Sequence, residues 1–136
     1  MSFTLDYRLE NSSFKIIDLA LSEVRLKDNK DYPWIILVPR VENAITEIFQ
    51  LNEDQKIELM KEISHISKCM EAYFKPDKLN IGALGNIVSQ LHIHVIARFK
   101  SDLLWPHSLW QEKLTDEKYT DLEREKLINH LRVAFK

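Results

Sequence analysis

Glycine is nearly missing from this chain. Only Gly82 and Gly85 occur among 136 residues, and both fall in Gly82-Ala83-Leu84-Gly85-Asn86. Glycine allows positive φ and close backbone approach, so two in four residues predict a turn shaped to face a ligand. Cysteine is scarcer still. Cys69 stands alone in a helical stretch, which excludes an intrachain disulfide framework. No apolar run approaches the roughly 20 residues needed to span a bilayer. Met1-Ser2-Phe3-Thr4-Leu5-Asp6 has neither a basic leader nor an apolar one, so a cytoplasmic protein with no membrane partner is the expectation. An excess of positive charge is also lacking. Lys and Arg number 19 against 21 Asp and Glu, a net charge of -2, which gives no reason to expect a nucleic-acid partner. Repeats, low-complexity tracts and linkers are absent, so residues 1–136 read as one domain.

What is present is concentrated in Gln90-Leu91-His92-Ile93-His94-Val95-Ile96-Ala97-Arg98. Its β-branched residues suit a strand, whose side chains alternate with period two. Gln90, His92 and His94 then share one face, and Leu91, Ile93 and Val95 pack on a core from the other. A His-X-His pair on a strand is often polar surface, or the start of a metal site. A closed zinc site wants four ligands, however, and no third ligand stands near the pair. Neither metal nor cofactor is assigned. A glycine turn feeding a histidine strand suggests phosphate chemistry instead.

The rest of the chain reads as strands and two capped helices. Residues 3–11 predict a short helical turn started by Thr4 or Asp6. Phe14–Asp18 and Leu21–Leu26 predict strands, Lys27–Asp31 a hairpin loop, and Trp34–Val38 a strand bounded by Pro33 and Pro39. Ala44–Phe49 suits a short helix. The main helix starts at Asn52, with Gln55 completing a capping box, and Pro76 stops it near Lys75. Its apolar stripe reads as Ile57, Met60, Ile63, Ile66, Met70 and Phe74, and His65 falls on the flank. Leu79–Ile81 is a short strand before the glycine turn. Thr120 and Glu123 cap a terminal helix from Asp121 to about Phe135, with Leu127, Leu131 and Phe135 on one face. His130 and the loop residues His107, Trp105 and Trp110 receive no catalytic role. Strand pairs with one central helix indicate α+β with an antiparallel sheet.

Gln90-Leu91-His92-Ile93-His94-Val95-Ile96 resembles the histidine triad (HIT) motif, His-φ-His-φ-His-φ-φ, with Gln in the first histidine place. Tyr32 to Arg40 resembles the family's other characteristic strand, and Trp105-Pro106 its Trp-Pro pair. Leu79 to Arg98 is most similar to a bacterial branch described as diadenosine tetraphosphate hydrolase-like. The resemblance implies a sheet of about five antiparallel strands, with one long central helix and a C-terminal helix, doubled in a homodimer. It implies a purine nucleotide substrate, a phosphoramidate or dinucleoside polyphosphate attacked at its α-phosphate. By that resemblance His92 is the nucleophile, and His94 assists the leaving group or stabilises charge. Gln90 takes a supporting catalytic place without titrating. Asn80, Gly85 and Asn86 would contact phosphate and ribose, Asp28 the ribose, and Trp34 and Leu26 the base. Asp28 reads equally well as a turn residue. Trp34 stands where many members carry a histidine. Because two of four family histidines are replaced, the alternative is a nucleotide-binding module of the same fold with little catalysis.

Overall fold

The structure, a computed structural model, describes residues 2–110 and 115–136. Five strands form one antiparallel sheet: β1 (Ser13–Asp18), β2 (Ser22–Lys27), β3 (Trp34–Pro39), β4 (Lys78–Gly82) and β5 (Ile93–Arg98). Their spatial order is β1-β2-β3-β5-β4, so the histidine strand lies between β3 and β4. A short helix α1 (Tyr7–Ser12) precedes the sheet. The long helix α2 (Glu53–Phe74) links β3 to β4, and α3 (Asp121–Ala134) ends the chain. The α+β class, the antiparallel sheet and the two main helices all agree with expectation.

Alternation divides the sheet into two faces. Val24, Leu26, Ile35, Leu37, Ile93, Val95 and Ala97 point to one side and form a core with Leu59, Ile66 and Met70 of α2 and Leu131 of α3. Trp34, Ile36, Val38 and Ile96 point to the other side, where Leu9 and Leu109 cover them. Each fully buried aliphatic side chain contributes about 1.5–3 kcal/mol. The core beneath the helices is therefore the main store of stability.

The capping boxes form as read. The Asn52 side chain accepts from the Gln55 amide at 2.8 Å, and Gln55 accepts from the Asn52 amide at 3.0 Å. Thr120 and Glu123 make the same reciprocal pair on α3. Ahead of Pro76, Lys75 turns left-handed at φ 52° and ends α2. The α2 stripe needs correction. Ile57 and Met60 are 55% and 62% exposed, while Leu59 and Glu62 are buried. Glu62 was masked by its charge. Its carboxylate accepts from the backbone amides of Leu21 at 2.7 Å and Ser22 at 2.9 Å, so the helix caps the β1–β2 turn. On α3, Ile128 joins Leu131 and Phe135 in the core and Leu127 is only half-buried.

Two further expectations are revised. Between Ala44 and Phe49 the only helical structure is the start of a 3-10 turn, Ile48–Gln50. The motif strand is also shorter than its β-branched run. Pairing with β3 stops at Ile93 and with β4 at His94, so Gln90, Leu91 and His92 lead into β5 without belonging to it. His65 sits half-buried on α2, and its Nε2 donates to the Phe135 carbonyl at 2.7 Å, tying α2 to α3. Among the described residues no helix is long and apolar enough to cross a membrane.

Candidate active site

The site forms where β5 meets the loop from Gly82 to His92. His92 and His94 are buried to 6% and 9% exposure, with ring centroids 4.9 Å apart and planes at 72°. Their neighbours force opposite tautomers. His92 Nδ1 lies 2.7 Å from the Gln90 carbonyl oxygen. A carbonyl only accepts, so Nδ1 carries the proton and Nε2 carries the lone pair. His94 Nδ1 lies 2.9 Å from Trp34 Nε1. An indole N–H only donates, so His94 Nδ1 accepts and its proton sits on Nε2. One imidazole thus offers a lone pair and the other offers an N–H.

Both rings are held in the neutral form. Burial lowers the His94 pKa to about 3, and His92, once protonated, and Lys27 push in the same direction. Burial also lowers His92 below the usual imidazole value, and Lys27 adds to this. The Gln90 carbonyl and Asp6 oppose it. His94 is therefore a neutral hydrogen-bond donor rather than an acid at physiological pH.

Two cavities meet at His92. The larger, of about 630 Å³, has an apolar wall of Leu9, Ile36, Val88 and Trp110, with Lys27 and His94 at its polar end. The smaller, of about 230 Å³, lies between residues 46–49 and the glycine turn. Leu84, Gly85 and His92 border both. Gly85 takes φ +71°, a conformation suited to glycine. Gly82 serves differently from the turn role expected of it. It closes β4, and a Cβ there would lie 2.6 Å from the Trp110 ring, so its missing side chain makes room for that indole beside His94.

A family model, the HIT domain, matches residues 8–101. The chain belongs to the histidine triad family. A histidine triad protein of Bradyrhizobium japonicum is 40% identical over the whole of both chains, with a TM-score of 0.94. A histidine triad protein of Marinobacter aquaeolei is 36% identical, covering 98% of this chain and 96% of the other, with a TM-score of 0.93. One of Sinorhizobium meliloti is also 36% identical, over 98% and 97%, at 0.92. No curated protein matches the chain.

Not every residue that the histidine triad pattern suggests reaches the cavities. Gly85 and Asn86 line the larger one. Asn80 lies on the same sheet face, but its Oδ1 is taken by Arg98 Nη1 at 2.9 Å and it lines neither cavity. Asp28 also stays outside, with its carboxylate accepting from the Tyr119 amide at 3.0 Å. This is the turn-residue reading of Asp28. Trp34 is buried behind His94 and orients it instead of forming a cavity wall. Leu26 is a clear correction. Period two turns it into the helix-side core, at 0% exposure. Its neighbour Lys27 faces the cavity instead, with Nζ 5.5 Å from the Trp34 ring centroid. Lys27 was missed because it ends a strand beside a polar loop and reads as solvated. Alternation from Val24 was the signal that could have found it.

The Gln90 side chain does not point at the reacting position. Its Oε1 accepts from the Asp6 amide at 2.8 Å and its Nε2 donates to the Thr4 carbonyl at 2.8 Å. Only its backbone carbonyl serves His92. Among the described residues, no group of three or more His, Cys, Asp or Glu comes together as a metal site would require.

Proposed function

We propose that the protein is a nucleotide hydrolase or transferase of the histidine triad type, acting on nucleoside phosphoramidates or dinucleoside polyphosphates. The observation that carries this reading is the His92 Nδ1–Gln90 carbonyl bond, which leaves Nε2 unprotonated on a ring that borders both cavities. His92 Nε2 attacks the α-phosphorus, the P–N bond forms, and the bond to the leaving group breaks. The imidazolium character that develops is stabilised through Nδ1–H by the Gln90 carbonyl. Water then attacks phosphorus, the P–N bond breaks, and neutral His92 returns. A purine nucleoside fits the larger cavity, whose size and mostly apolar lining suit a base. Asn86 and the His94 Nε2–H donate to phosphate oxygens, and Lys27 supplies positive charge.

With His94 neutral, proton delivery to the leaving group falls to solvent. Substrates whose leaving groups are stable anions are therefore favoured, consistent with the diadenosine tetraphosphate hydrolase-like branch. The same observation favours a second reading, a binding module with little turnover, because His94, the imidazole beside the nucleophile, holds no acidic proton near neutral pH. The edge strand β4 exposes Ile81 and has no strand beside its outer side among the described residues, which supports a homodimer with continuous sheets. Residues 1–136 act as one domain in this reading.

The deciding experiment incubates pure protein with adenosine phosphoramidates and dinucleoside polyphosphates and follows both mononucleotide release and protein mass. Turnover with a nucleotidyl adduct on His92 is the expected result. Tight binding of AMP without turnover selects the binding module. Chelator should change neither outcome.

A further inference from the structure

The N-terminal arm, residues 3–8, is stapled across the approach to the motif strand by more bonds than an arm needs for packing. The Thr4 amide donates to Asn43 Oδ1 at 2.9 Å, and Asn43 Nδ2 donates back to the Thr4 carbonyl at 2.6 Å. Gln90 holds the same stretch through the Thr4 carbonyl and the Asp6 amide. Two residues further, Arg8 Nε and Nη2 donate to the Asp6 carboxylate at 3.0 and 2.9 Å. Arg8 Nη1 donates to the Ile87 carbonyl in the glycine loop at 3.0 Å.

This leaves the guanidinium oriented. Of its five N–H groups, three donate to partners among the described residues, and the side chain lines the larger cavity together with Lys27 and His92. Asp6 fixes the plane of the fork, and a planar fork held in advance loses little freedom on meeting a phosphate. Gln90 fixes Asp6 through its amide. The chain of contacts therefore runs from the first motif position, through the arm, to a cation at the cavity.

We propose that Arg8 binds the phosphate of the bound nucleotide and that Gln90 is a positioning residue that acts through it, by latching the N-terminal arm. The proposal rests on reading the cavity at His92 as a nucleotide site. It explains why a non-titrating amide stands in a histidine place. An amide side chain can accept from one backbone group and donate to the next at once, as this latch requires.

The test uses the full-length wild type, Arg8→Ala, Gln90→Leu, the double variant and Gln90→Glu. AMP affinity is measured by calorimetry, and turnover is measured separately. Arg8→Ala and Gln90→Leu should each weaken AMP about tenfold, the scale of one charge-assisted hydrogen bond. The double variant should be no weaker than Arg8→Ala alone, because Gln90 works through Arg8. Gln90→Glu keeps the acceptor for the Asp6 amide and should recover part of the loss. Amide exchange at Asp6 should quicken in Gln90→Leu. Unchanged AMP affinity in Arg8→Ala, which removes an exposed side chain and threatens no core, overturns the proposal. So do two losses that multiply in the double variant. If the affinity pattern holds while the wild type turns nothing over, catalysis by His92 falls and the latch stands. If the wild type does not bind AMP, both fall.

Discussion

The two faces of one sheet solve different problems with alternate residues of the same strands. On β5, Ile93, Val95 and Ala97 enter an apolar core beneath α2 and α3, while His94, Ile96 and Arg98 face the arm and the site. The helix face buries almost no polarity besides Glu62. The other face buries Arg25 with Glu23 and Arg98 with Asp102, besides the two imidazoles. Buried charge and buried neutral histidine cost desolvation, which local partners offset. Apolar packing on the first face lets the second carry that cost. Substitutions on the two faces should therefore fail in different ways.

The sharpest contrast uses His92→Ala. Activity should fall by several orders of magnitude, with the thermal midpoint near wild type, because the ring borders both cavities and gives up one hydrogen bond, to the Gln90 carbonyl. Single-turnover release of mononucleotide reads this directly. More than about a tenth of wild-type turnover would remove His92 from covalent catalysis.

Leu26→Ala should show the reverse. Leu26 is fully buried among helix-side aliphatics, so its truncation should cost about 2–5 kcal/mol of stability. Turnover per folded molecule should stay within about twofold. Denaturant titration beside active-site counting separates the two. A normal stability with damaged affinity would return Leu26 to the base pocket.

Leu26 also shows what the sequence reveals and where it stops. Periodicity and capping chemistry are local, so the strands, both capping boxes and the Pro76 stop could be read directly. The faces of β2 were legible too, since Val24, Arg25, Leu26 and Lys27 alternate apolar and charged, and Leu26 was misplaced by following the family pattern over that alternation. Glu62 hides for a different reason. Its two amide partners sit about 40 residues away, and charge alone reads as surface. On the site, the His-X-His spacing located the motif. The tautomers depend on Trp34, 60 residues distant, and the fate of the Gln90 side chain on an arm more than 80 residues upstream. Contacts at such separations exist only once the sheet has formed.

Trp34 offers a finer cut within the site face. Trp34→Phe keeps the ring and removes the N–H that His94 accepts, so His94 is free to take either tautomer. The loss is one buried hydrogen bond, about 0.5–1.5 kcal/mol, and turnover should fall by up to roughly tenfold. Nitrogen NMR of the imidazole should show the His94 proton on Nε2 in wild type and shared between the two nitrogens in the variant. If tautomer and rate both stay unchanged, Trp34 only fills space.

The smallest effect is in the pH profile, and it separates burial from charge at the same imidazole. Attack requires neutral His92, so kcat/KM falls on the acid side as that ring protonates. Its pKa is below the ordinary 6.5, first through burial and then through Lys27. The acid limb should therefore lie below pH 6.5. Lys27→Met removes the charge and leaves the burial, so the limb should move upward. Stability follows the same order. Above pH 6.5 both histidines are neutral, folded or unfolded. Below it the unfolded chain binds protons that the buried rings refuse, and stability drops as pH falls towards the folded values. Lys27→Met should soften that drop. Measuring kcat/KM and denaturant midpoints from pH 4.5 to 8 checks both. A limb that stays put while KM rises would make Lys27 a phosphate contact with no hold on His92. A limb that moves down would contradict the sign of the interaction and remove Lys27 from the causes of the lowered His92 pKa.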